Sequence, residues 1–378
     1  MKVLFVHGSN AVKEDKEGNL YMDGSYSEEV WERYYKLTND LTVMTKKEKE
    51  VYDVQVARNK FHKFNNEKYK FIEIINDSVL EEEVKKTDIV IIRVPSRTSY
   101  KAIDYAKKYN KKYLLEVVGC TFDLYWNTGG VKNKVTAIKT YLQFKKYVKE
   151  AEYVVYVSNV FLQKRYSTSG KSVACCDAVL KDFNDEILAE RIRKIESKKD
   201  DEAIVLCTVG STDFKIKGQD HVIKAISKLN KNGYNYKYII VGGNDITRLK
   251  SIAEKYGVDD VVEFTGMQPH SKVFEYMKNC DIYIQPSETE GLPRVMVEAI
   301  SVAAPCIGSD VGGIPELIDE KFVFKSKNVR SLMNTLKQMN KDEMVKQATK
   351  NYEKSKEFDE KVLNKRREEF YNLLVEEK

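Results

Sequence analysis

The sequence predicts an α/β protein of two doubly wound domains, each a parallel sheet with helices on both faces. Three observations predict it. Short apolar runs of strand length alternate with longer amphipathic runs of helical period. The alternation pauses near residues 180 to 200 and then starts again. And a chain of 378 residues suits two domains of ordinary size better than one.

In the first series "KVLFVHG" (2–8), "DLTVMT" (40–45), "YKFIEII" (69–75), "DIVIIRV" (88–94), "KKYLLEVV" (111–118) and "EYVVYVS" (152–158) read as strands. Helical patterns such as "SEEVWERYYKL" and "YKAIDYAKKYN" lie between them. The second series holds "AIVLCTVG" (203–210), "YKYIIVGG" (236–243), "VVEFTG" (261–266), "DIYIQPS" (281–287) and "APCIGSD" (304–310). "HVIKAISKLN" and "SKVFEYMKNC" are among its helices. The charge-rich "DEILAERIRKIESKKDDE" (185–202) reads as a linker or linker helix. The expected division is a Rossmann-like domain over 1–180, a second over 181–355, and a helical tail over 356–378. That tail has no strand after it, so it is expected to pack elsewhere, with the N-terminal domain as one candidate.

Composition removes several classes of function. No apolar stretch approaches the ~20 residues of a membrane span. The opening "MKVLFVHGSN" is too short in its apolar part for a signal peptide. Six cysteines form no CxxC pair and most lie in or beside apolar runs, as buried thiols of a reducing cytoplasm do. Four histidines without ligand spacing argue against a zinc site. With 64 basic and 58 acidic residues the net charge is +6, far from a nucleic-acid arm but suited to an anionic ligand. The expected location is cytoplasmic.

Doubly wound sheets bind ligands at the carboxyl ends of their strands. The richest strand end is "SETEGLPRVMVEAI" (287–300). Glu290 stands in the loop, and Pro293 suits the first turn of a helix. The first free amides of that helix, near Arg294 and Val295, favour an anion. At ~1.5 Å per residue, Glu298 lies roughly 8 to 9 Å along the axis from Leu292. A carboxylate, an anion site and a second carboxylate match the order sugar, diphosphate, ribose, since each carboxylate accepts two hydroxyl hydrogen bonds. The plainer alternative is a solvated loop charge and a helix-face charge. The apolar surroundings of Glu298 weigh against it.

Two other strand ends and one helix add to this. In "TVGSTDFKIKGQDHVIKAI" (208–226) a strand ends at Gly210, and Lys217 precedes a helix, where it can reach a phosphate as a point charge. In "MDGSYSEEVWERYY" (22–35) Gly24 and Ser25 precede a helix, with Ser25 and Glu28 at capping-box spacing. No GxGxxG follows the first strand, which argues against a dinucleotide oxidoreductase. "GGVKNKVTAIKTYLQFKKYVKEAEY" (129–153) interleaves lysines with apolar residues. Its helix over 133–150 reads either as a basic amphipathic helix lying on an anionic membrane or as a surface helix with one apolar stripe in the core. The second reading needs less.

At this point "SETEGLPRVMVEAISVAAPCIGSDVGGIPELI" resembles the donor-binding signature of the retaining family-4 glycosyltransferases. The E-x7-E spacing falls at Glu290 and Glu298, and "VGGIPELI" (311–318), "IIVGG" (239–243) and "VEFTG" (262–266) follow the family's order. The resemblance covers nearly all of 203–320; the first 180 residues resemble the bacterial polysaccharide-assembly members more loosely. It implies the GT-B architecture, two facing Rossmann-like domains with a deep cleft. It also implies that Glu290 contacts the transferred sugar and Glu298 the ribose. Lys217 and the amides after Gly291, including those of Leu292, Arg294 and Val295, would hold the diphosphate. Gly24 and Ser25 would approach from the other domain, the Gly210 turn would border the phosphates, and Gly266 and Met267 would meet the base. The sequence departs from the family's pattern in three places. Ser211 stands where an arginine is usual, so Arg294 or Lys215 would have to supply that charge. "EVVGCTFD" lacks the family's histidine near the sugar, and Pro293 removes one amide.

The implied activity is a retaining, metal-independent hexosyltransferase. Its donor would be a nucleotide-diphosphate sugar, a UDP-sugar by expectation, and its acceptor a glycan or lipid-linked hydroxyl in bacterial surface polysaccharide assembly. Glu290 and Lys217 would be its catalytic residues. No cofactor, metal or nucleic acid is expected, and no two aspartates are separated by a single residue in the DxD pattern of a metal clamp. A lipid-linked acceptor would bring the enzyme to the inner face of the membrane. Two rivals remain: a sugar-nucleotide epimerase of similar architecture, separable by product analysis without acceptor, and a sugar-binding protein, separable by nucleotide-sugar turnover.

Overall fold

A computed structural model describes residues 1–9, 11–22, 26–178 and 180–376. The chain divides into two compact units. The first comprises 1–121, 138–175 and 364–378, and the second 122–137 and 176–363.

In chain order the first unit contributes β1 (Val3–His7), β2 (Val12–Asp15), β3 (Leu20–Met22), α1 (Glu28–Thr38), β4 (Leu41–Thr45), β5 (Lys47–Tyr52), α2 (Val54–Lys60), β6 (His62–Lys63), β7 (Lys70–Glu73), α3 (Asp77–Lys86), β8 (Ile89–Val94), α4 (Arg97–Lys108) and β9 (Lys112–Val117). After α5 (Thr121–Thr128) and α6 (Val131–Glu150) come β10 (Tyr153–Tyr156), α7 (Phe161–Arg165) and β11 (Lys171–Ala174). Its main sheet runs β11-β10-β9-β8-β1-β4-β7, with every pair parallel. Central strands such as β1 and β8 bury nearly every side chain, as strands covered on both faces must. All six expected strands are present. A second, four-stranded sheet, β5-β2-β3-β6, was not expected. Its strands are short or charge-rich, "VKED" and "KEKEVY" among them, and carry no apolar period. Asp15 pins it, accepting from the Asn19 and Glu17 amides at 2.9 Å and from Tyr21 Oη at 3.0 Å.

The second unit holds α8 (Asp185–Ser197), β12 (Ile204–Val209), α9 (Gln219–Asn230), β13 (Tyr236–Val241), α10 (Thr247–Tyr256), β14 (Val262–Gly266), α11 (His270–Asn279), β15 (Ile282–Gln285), α12 (Arg294–Ser301), β16 (Cys306–Ser309), β17 (Val323–Phe324), α13 (Val329–Gln338) and α14 (Lys341–Ser355). Its sheet, β14-β13-β12-β15-β16-β17, is parallel throughout, and the strand order reverses beside β12. That reversal is where such sheets open a crevice at their carboxyl ends. The final helix, α15 (Glu360–Glu376), places residues 364–376 in the first unit. There Tyr371 Oη and Tyr34 Oη donate to the buried Glu116 carboxylate at 3.0 and 2.7 Å, and Arg93 pairs with it at 3.2 Å.

Three expectations need correction. The stretch read as a linker or linker helix over 185–202 is mostly helix, α8, but a packed part of the second unit rather than a linker. Arg191 is buried and donates to the carbonyls of Cys280 and Met277 at 2.7 and 2.8 Å, capping the end of α11. Charge density suggested solvent, but this cation is spent on backbone carbonyls. The expected capping box also fails. Helix α1 starts at Glu28 with Ser27 at its N-cap, so Glu28 is the first helical residue rather than the third. Third, Pro293 is the N-cap of α12 rather than its first helical residue. The six cysteines are buried thiols outside any disulfide.

Candidate functional site

The carboxyl ends of β12, β15 and β16 carry three loops that lock together. Gly218 has φ +72°, and a Cβ there would sit 2.0 Å from the Pro286 carbonyl oxygen. Only glycine fits both the left-handed backbone and that approach. The amide of Glu288 then donates to Ile216 O at 2.7 Å, tying the loop after β15 to the Lys215–Lys217 turn. The third loop explains "VGGIPEL". Gly312 has φ +59°, and a Cβ on it would lie 2.3 Å from Glu290 O. Its neighbour Gly313 donates its N–H to Gly291 O at 2.6 Å. The loop carrying Glu290 is therefore braced from both sides by backbone.

Within that brace Glu290 Oε1 accepts three hydrogen bonds: from Lys217 Nζ at 2.7 Å, Ser287 Oγ at 2.7 Å and Gln285 Nε2 at 3.3 Å. Behind them Tyr283 Oη donates to Gln285 Oε1 at 2.8 Å, and Gln285 Nε2 also donates to Ser287 Oγ at 2.9 Å. Ser309 Oγ holds the Ser287 carbonyl at 2.6 Å. This chain of buried polar groups, each with a partner, fixes the carboxylate's rotamer. Oε2 of Glu290 makes no hydrogen bond among the described residues, and it is the atom free to accept from a ligand.

The buried Glu288 makes a second cluster beside the first. Its carboxylate meets His221 Nε2 at 3.0 Å and Lys327 Nζ at 3.1 Å. Burial alone would raise this carboxyl, but the bonds from His221 and Lys327 hold it below its ordinary value. Asn127 joins the cluster, donating Nδ2–H to the Glu288 carbonyl and accepting from Lys327 Nζ at 2.9 Å.

Glu298 lies on α12 and pairs with His270 Nε2 at 3.2 Å. His270 opens α11, three residues after the exposed Met267. The neighbouring Gly266 carbonyl accepts from the Gly242 amide at 2.9 Å, and Gly210 N–H donates to Val241 O at the same distance. So Gly210, Gly266 and Met267 flank one edge of the sheet's carboxyl end, with the Glu298–His270 pair on the α11 side.

The structure brings Lys217 and Glu290 into contact, although they were expected to serve different parts of a ligand. It places Gly291, the buried Leu292, Arg294 and Val295 at the start of α12. Arg294 is exposed and close enough to His270 to oppose its protonation. Ser211 differs from an arginine by more than a missing charge. Its Oγ donates to Asp213 Oδ2 at 2.6 Å, so a carboxylate stands beside it. Gly24 and Ser25 lie outside the described residues. Sequence reasoning missed Gln285, Ser287, Glu288, His221, His270 and Lys327. None of them stood out in the sequence; His221 follows Gln219 and Asp220 in the polar first turn of α9.

Comparison with known proteins gives the family and the fold. The family model of glycosyl transferases group 1 matches residues 188–358. The chain is 32% identical over 349 residues to Protein CapJ of Staphylococcus aureus, covering 88% of this chain and 84% of CapJ. It is 33% identical over 110 residues to the amylovoran biosynthesis glycosyltransferase AmsK of Erwinia amylovora, 27% of each chain. Its fold is similar to that of Anabaena Alr3699/HepE, solved in complex with UDP, with a TM-score of 0.67 at 15% identity over 99% of this chain and 100% of that one. The chain belongs to the glycosyl transferases group 1 family and is a glycosyltransferase of the GT-B fold.

Proposed function

We infer that the chain transfers a hexose, with retention at the anomeric carbon, from a nucleotide-diphosphate sugar to a hydroxyl of a glycan or lipid-linked acceptor. The observation that carries this reading is Glu290, held by three hydrogen bonds on Oε1, one of them from Lys217, with Oε2 unused. A carboxylate so held can accept from a sugar hydroxyl while Lys217 Nζ faces the adjoining phosphate. HepE was solved with UDP, which favours a uridine diphosphate sugar as donor. AmsK acts in amylovoran biosynthesis by its name, which favours a bacterial surface polysaccharide as the product.

In this reaction the bond from the anomeric carbon to the diphosphate oxygen breaks, and a bond from that carbon to the acceptor oxygen forms on the same face. The acceptor's proton passes to the departing diphosphate. Charge gathers on the leaving group, where Lys217 and the α12 amides stabilise it. Those fixed groups make a metal unnecessary. Release of uridine diphosphate from a uridine diphosphate hexose should therefore persist in EDTA, and the α-linked donor should yield an α-linked product by NMR. Loss of release in EDTA with recovery on adding manganese would refute the metal-independent part. An inverted product would refute retention.

Glu298 holds the ribose in this reading, and His270 then competes with it. The Glu298 hydrogen bond raises the His270 pKa above its ordinary 6.5, with burial and Arg294 opposing. A raised histidine stabilises the fold below its unfolded pKa, and that contribution disappears as pH rises through the folded value. Ribose hydroxyls that take over Glu298 release His270, so nucleotide binding is coupled to its deprotonation. Affinity for uridine diphosphate should rise between about pH 6 and pH 9 by calorimetry, and His270→Gln should flatten that rise. A slope unchanged by His270→Gln would place the titrating group elsewhere.

A further inference from the structure

Helix α6 carries two apolar stripes, and packing uses only one. Ala137, Phe144 and Val148 are fully buried. Val131, Val135, Ile138 and Leu142 are between 51% and 81% exposed. At about 100° per residue these four fall within roughly 60° of arc, well away from the buried three. The expectation that one stripe in the core accounts for the helix's apolar residues is therefore not met. Just ahead of α6, Leu124 and Trp126 of α5 are also exposed. Six of the sixteen exposed large apolar side chains among the described residues thus lie between 124 and 142. Scattered apolar residues need no explanation, but a concentrated patch does.

The charges around the stripe have one sign. Between Leu124 and Lys149 there is no aspartate or glutamate, and there are six lysines. All six are exposed. On the same helical wheel Lys134 and Lys145 flank one side of the stripe, and Lys132, Lys139 and Lys146 the other. None of the six forms an ion pair among the described residues. Lys134 Nζ lies 5.2 Å from the Trp126 ring centroid, which keeps that indole at the patch. No helix among the described residues is long and apolar enough to cross a membrane.

We propose that this face of α5 and α6 docks on an anionic lipid surface, with the stripe entering the headgroup layer and the lysines meeting the lipid charge. An apolar stripe framed by lysines, with an indole at its edge, has the composition of an in-plane interfacial helix. A protein partner matching only the stripe would leave two rows of lysine unpaired. This docking does not depend on the identity of donor or acceptor.

The test is sedimentation of the full chain with vesicles, read alongside tryptophan fluorescence. The chain has two tryptophans, and Trp31 is buried, so a change on lipid addition reports Trp126. The protein should sediment with phosphatidylglycerol vesicles and not with phosphatidylcholine alone. Trp126 emission should shift to the blue, and brominated acyl chains should quench it. K132Q/K134Q/K139Q should weaken binding roughly a hundredfold and remove most of its salt dependence. V135S/I138S/L142S should abolish binding and the blue shift while leaving the melting temperature and uridine diphosphate affinity unchanged. Three results would each overturn the proposal: no binding to anionic vesicles, equal binding to neutral ones, or self-association in the ultracentrifuge that the serine variant abolishes.

Discussion

Replacing Lys217 by alanine is expected to lower turnover by roughly 30- to 1,000-fold, the effect of about 2 to 4 kcal/mol of lost transition-state stabilisation. The proposed reaction gives Lys217 two tasks. Its ammonium lies 2.7 Å from Glu290 Oε1, which it helps to orient, and it is only 31% exposed in doing so. Its other N–H groups can face the phosphates, where charge grows as the sugar departs. Ser211 and Asp213 supply no cation on the β12 side, so fewer positive charges share the load. Lys217→Arg keeps the charge but not the compact shape, and should recover only part of the rate. The two tasks separate by a double-mutant cycle with Glu290→Gln. If Lys217 acts only by orienting Glu290, the double variant is no slower than Glu290→Gln alone. If it meets the leaving group, the double variant is slower still, and binding of free uridine diphosphate weakens in Lys217→Ala by itself. A Lys217→Ala enzyme within threefold of the parent in turnover would remove Lys217 from the mechanism.

The strands were legible because parallel strands covered on both faces are written as continuous apolar runs. All eleven expected strands exist, with ends shifted by no more than two residues. The four-stranded sheet was not legible. "VKED" and "KEKEVY" pair through backbone, and the side chains that stabilise them, such as Asp15 and Tyr21, bear no period. Helix α8 was legible as a helix but not as a packed part of the second unit, because Arg191 counts as a surface charge until the three-dimensional path delivers carbonyls to it. Within the site, the glutamates were visible as carboxylates at a fixed spacing. Their partners were not, because nothing in the sequence marks Gln285 at the end of β15 or Ser287 just after it as facing Glu290, and Lys217 comes from a turn 73 residues away. His270 is 28 residues from Glu298, and only the packing of α11 beside α12 brings them together.

The two glutamates should separate in their kinetics. Glu298 is read as the ribose contact, and the ribose changes little as the reaction proceeds. Its loss removes binding that ground state and transition state share, so Glu298→Gln should raise the Michaelis constant for donor and leave turnover within a few-fold. Glu290 is read as the sugar contact. At the sugar, geometry and charge both change as the bond to the diphosphate breaks, so Glu290→Gln should lower turnover far more than donor affinity. The glutamine variants conserve shape, which matters because Glu290 accepts three hydrogen bonds on one oxygen. A glutamine oxygen there can still accept from Ser287 and Lys217, so the loop should keep its form. Free uridine diphosphate is the control, since it lacks the sugar. Glu290→Gln should bind it almost as the parent does, and Glu298→Gln about tenfold more weakly, the loss of one charged hydrogen bond. His270 adds a second control. In Glu298→Gln its raised pKa should fall back toward 6.5, a change that proton NMR of the imidazole reads directly without any ligand. If Glu290→Gln loses uridine diphosphate affinity while Glu298→Gln keeps it, the order sugar, diphosphate, ribose along α12 is wrong, and the donor lies in the opposite sense.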